Sequence, residues 1–208
     1  MLRAAGWPIW PLLICSVAAL AIVIERCFSL RAARVSPPRL ADEVTSLIGK
    51  GPPSTDVVYH LAMSSILGAV LASGLRAMMI EPRISEASLR SVFESAGRSA
   101  VHRLERYLNT LGSIASAAPL LGLMGTVVGM IEIFGSQSPT GANNPAMLAH
   151  GISVALYNTA FGLMIAIPTL MFYRHFRGRV ESYTVEMEQA ADRLVAQVMR
   201  DHRAQQMA

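Results

Sequence analysis

Two threonines and an asparagine are the side chains of this sequence whose placement invites chemistry. Thr126 lies in the run Ala117 to Phe134, AAPLLGLMGTVVGMIEIF, while Asn158 and Thr159 lie in Gly151 to Pro168, GISVALYNTAFGLMIAIP. Hydroxyl and amide groups form hydrogen bonds and orient water, but neither titrates near neutral pH. The central parts of both runs hold no carboxylate, lysine or histidine. Chemistry here is confined to guiding a proton or a water, with any titrating group supplied from elsewhere. Glu132 lies near the end of the first run, where partial hydration lowers the cost of a carboxylate, and it marks a candidate point at which a proton enters. Elsewhere no phosphate loop or nucleophile elbow occurs, and the five histidines fit no zinc spacing, so neither an enzyme nor a bound metal or cofactor is expected.

The elements that must hold these residues are membrane spans. Both runs approach the roughly 20 apolar residues that a bilayer crossing needs. The chain is 52% hydrophobic and 15% charged, against about 25% charged in soluble domains. Within the first run and just before it, Ala115, Ala118, Gly122, Gly125 and Gly129 step by three and four, laying small residues along one side. Gly151, Ala155, Thr159, Gly162 and Ala166 do the same in the second. Such ribbons let a helix approach closely, which makes Gly122, Gly125, Gly129, Ala155 and Gly162 candidates for helix packing or for facing a partner. Counted inward from the connecting loop, Thr126 is about 8 residues deep and Thr159 about 11, or roughly 12 and 17 Å at the helical rise. Two readings stand on these residues alone. Threonines in membrane helices commonly bond their own backbone and glycine ribbons commonly pack, which gives a passive scaffold; hydroxyls at one depth also line a polar path. Asn158 needs partners inside a bundle or a wet cavity on either reading. Pro119 and Pro168 read as kinks, each freeing a carbonyl.

In chain order, residues 1–30 form a first span, with Ala4 to Ile24 uncharged, Trp7 and Trp10 at its start, and Glu25, Arg26, Arg31 and Arg34 after it. That order places the start outside and argues against a cleaved signal peptide, whose basic region would come first. Cys15 and Cys27, 12 residues apart on that helix, are too distant for a disulfide within it. Residues 31–107 read as a cytoplasmic helical domain punctuated by Pro37, Pro38, Gly51, Pro52 and Pro53. Its uncharged run Val57 to Leu75 nears the length of a span, but positive residues flank both sides, so a buried amphipathic helix is expected instead. From Ser85 onward Leu89, Val92, Phe93 and Leu104 suggest a helix that continues into the next span. Spans at 108–134 and 148–173 enclose an external loop at 135–147 that carries no charge. Arg174, Arg177 and Arg179 then open a cytoplasmic helical tail, 174–208, in which Val180, Thr184, Met187, Ala191, Leu194 and Val198 follow coiled-coil spacing. The tail is expected to pack on the arginine-rich domain or on neighbouring copies. The net charge of +4 rests on arginine, with Lys50 as the single lysine, and it reads as topology rather than a nucleic-acid surface.

Three blocks, GWPIWPLLICSVAALAIVIER, APLLGLMGTVVGMIEIF and GISVALYNTAFGLMIAIP, resemble the proton-channel subunits of the MotA/TolQ/ExbB family, most closely its ExbB branch. The resemblance implies an all-α integral membrane protein of the bacterial inner membrane, with a periplasmic start and a cytoplasmic end. Five copies would form a ring whose second and third spans line a pore, with the first span toward lipid. It implies Thr126 and Thr159 as pore-facing threonines, and a single-span partner resembling ExbD or TolR that brings the titrating aspartate. A TonB-like or TolA-like protein would be driven in turn. Many ExbB proteins carry a glutamate where this chain has Val154, so no proton step is assigned there. Flagellar stators resembling MotA have a further span and a larger cytoplasmic domain, which argues against that branch, while ExbB and TolQ remain open alternatives.

Overall fold

A computed structural model describes residues 9–48, 54–135 and 145–207, and every regular element among them is a helix. In chain order these are α1 (Ile9–Ser29), α2 (Ala32–Val35), α3 (Leu40–Ile48), α4 (Thr55–Ser64), α5 (Ile66–Ile80), α6 (Glu86–Leu104), α7 (Leu108–Gly135) and α8 (Pro145–Met207). Three are long and apolar enough to cross a membrane: α1, α7 and the part of α8 from Gly151. The placement of Trp7, the turn at Gly51, Pro52 and Pro53, and the loop at 136–144 lie outside the described residues.

The chain divides into two compact units. The first, the span unit, comprises the residues up to Arg26 together with Tyr107–His175. Its three helices meet at Leu12 of α1, Ala118 of α7 and Ala166 of α8, with Leu121 and Ile165 packed alongside. Two of the three central residues are alanines, so the helices are held by close backbone approach rather than by interlocking large side chains. The large ones point outward: Ile14, Val17 and Leu20 on α1, Leu120 and Leu123 on α7, and Leu156, Met164 and Met171 on α8 are all exposed. Hydrocarbon is the solvent that such a surface fits, because lipid gives no drive to bury leucine and leaves packing to small residues. Pro119 and Pro168 both lie within continuous helices.

The second, the polar unit, comprises Cys27–Arg106 and the tail from Phe176. Here burial follows the pattern of a water-exposed fold. Val35, Val44, Leu71, Leu89, Leu104, Leu194, Val195 and Val198 are almost wholly enclosed. The uncharged run at 57–75 forms not one amphipathic helix but two shorter helices, neither of them long enough to span. Ser65 separates them in extended conformation (φ −164°, ψ 172°), and its hydroxyl accepts from the Gly68 N–H at 2.9 Å as the cap of α5. Ser85 caps α6 in the same way, accepting from the Ser88 N–H at 3.1 Å. Gly74 of α5 lies beneath the Phe93 ring of α6, where a Cβ would come within 2.1 Å of ring carbon Cζ.

The tail of α8 packs on this unit through Phe176, Val180, Tyr183, Met187, Ala190, Leu194, Val195 and Val198, all buried. Thr184 and Ala191 flank that stripe half-buried, so the buried seam runs through Tyr183 and Ala190 instead. The Tyr183 hydroxyl donates to the Leu30 carbonyl at 2.9 Å and accepts from Arg179 at 2.7 Å, which draws the stripe toward that side. Arg90 bridges Glu86 at 3.1 Å and Asp192 at 2.5 Å, and Arg193 approaches Asp42 at 3.9 Å. The hydrogen bond to Asp192, then that to Glu86, holds the Arg90 guanidinium above its ordinary value.

The helix expected to run from Ser85 into the second span does not do so. α6 ends at Leu104, and Tyr107 stands in left-handed conformation at φ 65° before α7 begins at Leu108. For a non-glycine residue this costs on the order of 1–3 kcal/mol, so tertiary contacts must hold it. One is visible within the span unit: the Arg26 guanidinium lies 5.6 Å from the centre of the Tyr107 ring.

Candidate functional site

Asn158 and Thr159 lie in the seam between α7 and α8. The two small-residue ribbons face each other within one chain. A Cβ on Gly122 would lie 2.8 Å from the Asn158 carbonyl oxygen, 3.0 Å from Thr159 Cα and 3.3 Å from Gly162 Cα. From the opposite side, a Cβ on Gly162 would lie 2.6 Å from the Ala118 carbonyl oxygen and 3.1 Å from Gly122 Cα. Further along, Gly129 sits against Ala155, whose Cβ would be 3.2 Å away. Between these contacts Gly125 meets the Asn158 side chain: a Cβ on it would lie 2.8 Å from Asn158 Cβ and 3.0 Å from both Cγ and Nδ2. Asn158 is accordingly buried, with 2% of its surface exposed.

Five hydroxyls of the spans bond their own helix. Ser113, Ser116, Ser153 and Thr169 each donate to a carbonyl four residues back, and Thr126 donates to Leu123, three back, at 2.6 Å. Thr159 does not: its Oγ1 is enclosed and has no hydrogen-bond partner among the described residues. Thr126 lines an open groove with Val127, Met130, Ile131 and Phe134 of α7. Its donor is committed to its own helix, and the oxygen keeps lone pairs able to accept a further hydrogen bond. The two threonines therefore stand in different settings, one on an open face and one inside the seam. Glu132 is exposed, and the side chains of His150 and Val154 lie outside the description.

A residue that sequence reasoning took only as a topology signal proves buried. Arg26, with 3% of its surface exposed, has Nε and Nη2 both donating to the Glu25 carboxylate, Nη2 at 2.8 Å, and it faces the Tyr107 ring. The neighbouring carboxylate was the available sign, since an acid beside an arginine at the end of an apolar run permits neutralisation without leaving the helix. Among the described residues no group of three histidine, cysteine, aspartate or glutamate side chains is placed to hold a metal. Away from Glu132, the facing stretches of α7 and α8 thus offer hydroxyls, an amide and close-packed backbone, which can orient water or a proton but do not exchange one near neutral pH.

Known proteins share this sequence pattern. Residues 62–189 match the MotA/TolQ/ExbB proton channel family. An ExbB-like biopolymer transport protein of Synechocystis is 33% identical over 176 residues, covering 84% of this chain and 82% of its own. A biopolymer transport protein of the ExbB type from Vibrio cholerae is 34% identical over 171 residues, covering 79% and 72%. The Tol-Pal system protein TolQ of Haemophilus influenzae is 33% identical over 110 residues, covering 51% and 48%.

Proposed function

The chain belongs to the MotA/TolQ/ExbB proton channel family, and from that premise we propose that it is the channel subunit of an inner-membrane motor that turns proton-motive force into work at the envelope. It acts as a ring, five copies in the family's arrangement, around a single-span partner of the ExbD or TolR kind. The observation that carries this reading is the chemistry of the runs Ala117–Ile131 of α7 and Gly151–Pro168 of α8, which hold hydroxyls and an amide but no carboxylate, lysine or histidine. A proton path so built needs an acid from outside the chain, and a partner aspartate supplies it. Thr126 and Thr159 flank that aspartate's route, Thr126 from the open groove and Thr159 from the seam, with Asn158 beside it. Glu132 serves as the point where protons enter. The arginines after α1 and those opening the tail orient the start outward and the end inward.

The driven machine is of the TonB kind in this reading. The match to TolQ favours a second, in which the same channel drives a TolA-like protein in envelope maintenance. Co-purification with each partner class, followed by proton flux in liposomes, separates them. In the productive complex, Thr126→Val with Thr159→Val keeps shape and removes both hydroxyls. Losing a hydrogen bond to an ionisable group costs about 1.5–3 kcal/mol, which predicts a roughly tenfold to hundredfold slower flux with complex yield unchanged. Normal flux in the double variant would remove the threonines from the path, and loss of the complex itself would return them to packing.

A further inference from the structure

The geometry points to Asn158 as a positioning residue: its side chain is a knob seated on Gly125, and this pair sets the register in which α8 lies on α7 and so the depth at which the Thr159 hydroxyl is held. Three facts carry it. Asn158 is buried to within 2% of its surface, deep in an apolar helix where an amide is costly unless it is enclosed by protein. The space it fills exists only because residue 125 has no Cβ, since one would stand 2.8 Å from Asn158 Cβ and 3.0 Å from Cγ and Nδ2. Ile133 on Gly151 and the Tyr173 ring on Gly112 also seat side chains, toward the two ends of the seam, whereas the mid-seam contacts at Gly122, Gly129 and Gly162 are to backbone atoms or an alanine Cβ. Such contacts permit close approach but leave sliding along the axis weakly opposed; a side chain in a fitted recess opposes it directly. Thr159 is the next residue, so whatever fixes Asn158 fixes the enclosed hydroxyl too. The inference rests on the channel reading only for what Thr159 does once it is placed.

Register is read without any proton gradient or partner by a disulfide between Gly129→Cys and Ala155→Cys. A Cβ at 129 stands 3.2 Å from the Ala155 Cβ, within a few tenths of an ångström of disulfide spacing. Cys15 and Cys27 are replaced by serine in this background, and the rate of oxidant-driven bond formation in membranes is followed. Gly125→Ala, which fills the seat, and Asn158→Leu, which overfills it, should each slow the bond at least about fivefold. Gly125→Ala combined with Asn158→Gly removes the atoms in conflict and should return the rate to within about twofold of the parent. Unchanged rates in the single variants overturn the inference, as does failure of the combined variant to recover. If the single variants do not accumulate in membranes, accumulation of the combined one gives the same support, and its absence the same refutation. With the partner present, proton flux should fall and recover in step with the disulfide rate. Flux that ignores the register severs Asn158 from the path. An intact disulfide pattern beside a parent complex that conducts nothing refutes the channel reading and leaves the positioning intact.

Discussion

Gly122 and Gly162 of the span unit do work that Gly74 of the polar unit does not. In the span unit Gly122 and Gly162 meet backbone: a Cβ on either would come within 2.6–3.1 Å of carbonyl oxygens and Cα atoms of the facing helix. In the polar unit Gly74 meets the far end of one side chain, the Phe93 ring. The difference follows from the solvent. Water drives large apolar side chains together, so the polar unit is organised by leucine, valine and phenylalanine, with glycine making room for a ring. Hydrocarbon provides no such drive, so the spans are held by van der Waals contact between backbones, and glycine is the contact itself. No side-chain change relieves Gly122 or Gly162, while Gly74 can be relieved by trimming its neighbour.

The largest effect expected from this contrast is at Gly162. Gly162→Ala places a Cβ against the Ala118 carbonyl oxygen, and no side-chain substitution removes that atom, so Ala118→Gly should not rescue it. The cost should reach or exceed the upper end of ordinary overpacking, about 3 kcal/mol, and appear as loss of protease-resistant, detergent-extractable protein. A stable Gly162→Ala variant would break the comparison at its strongest point. Gly74→Ala should be milder, about 1–3 kcal/mol, and should be partly recovered by Phe93→Leu, which lacks the ring atoms in conflict. Thermal unfolding of the full chain in detergent reads both, and recovery at Gly74 without recovery at Gly162 is the sharpened form of the contrast.

The smallest effect belongs to the exposed ion pairs of the polar unit. Arg90 is raised by its bonds to Asp192 and Glu86, so its contribution is complete below the ordinary arginine value and fades only as pH rises beyond it. Arg90→Gln should therefore shift the unfolding midpoint slightly, by the same amount at about pH 7 and pH 9, and added salt should shrink the shift. A large shift, or one that changes over that interval, would mean that the rim of this unit is organised differently from its neighbours.

The spans are legible in the sequence because runs of about twenty uncharged, mostly apolar residues match a bilayer crossing in length, and α1, α7 and α8 declare themselves that way. The break before α7 is not legible, since residues 105–107 carry neither glycine nor proline. Tyr107 is held in a conformation its own chemistry disfavours, and the contact with Arg26 comes from a residue 81 positions earlier. The ribbons of small residues were equally visible, but a ribbon specifies close approach without saying to what, and only coordinates place the contact inside one chain. Nor does sequence distinguish Thr126 from Thr159. Both have carbonyls within reach on their own helix, and the difference arises from what stands across the seam.

The serine that divides α4 from α5 has a consequence during synthesis. As the chain emerges, residues 57–75 offer the insertion machinery an uncharged run close to the length it accepts as a span. Helix continuity is the other requirement, because hydrocarbon leaves any exposed backbone group unsatisfied. With Ser65 extended and its hydroxyl turned to the Gly68 N–H, neither of the two pieces reaches across on its own. The hydroxyl that caps a short helix thus also keeps this uncharged run from forming one continuous helix of spanning length.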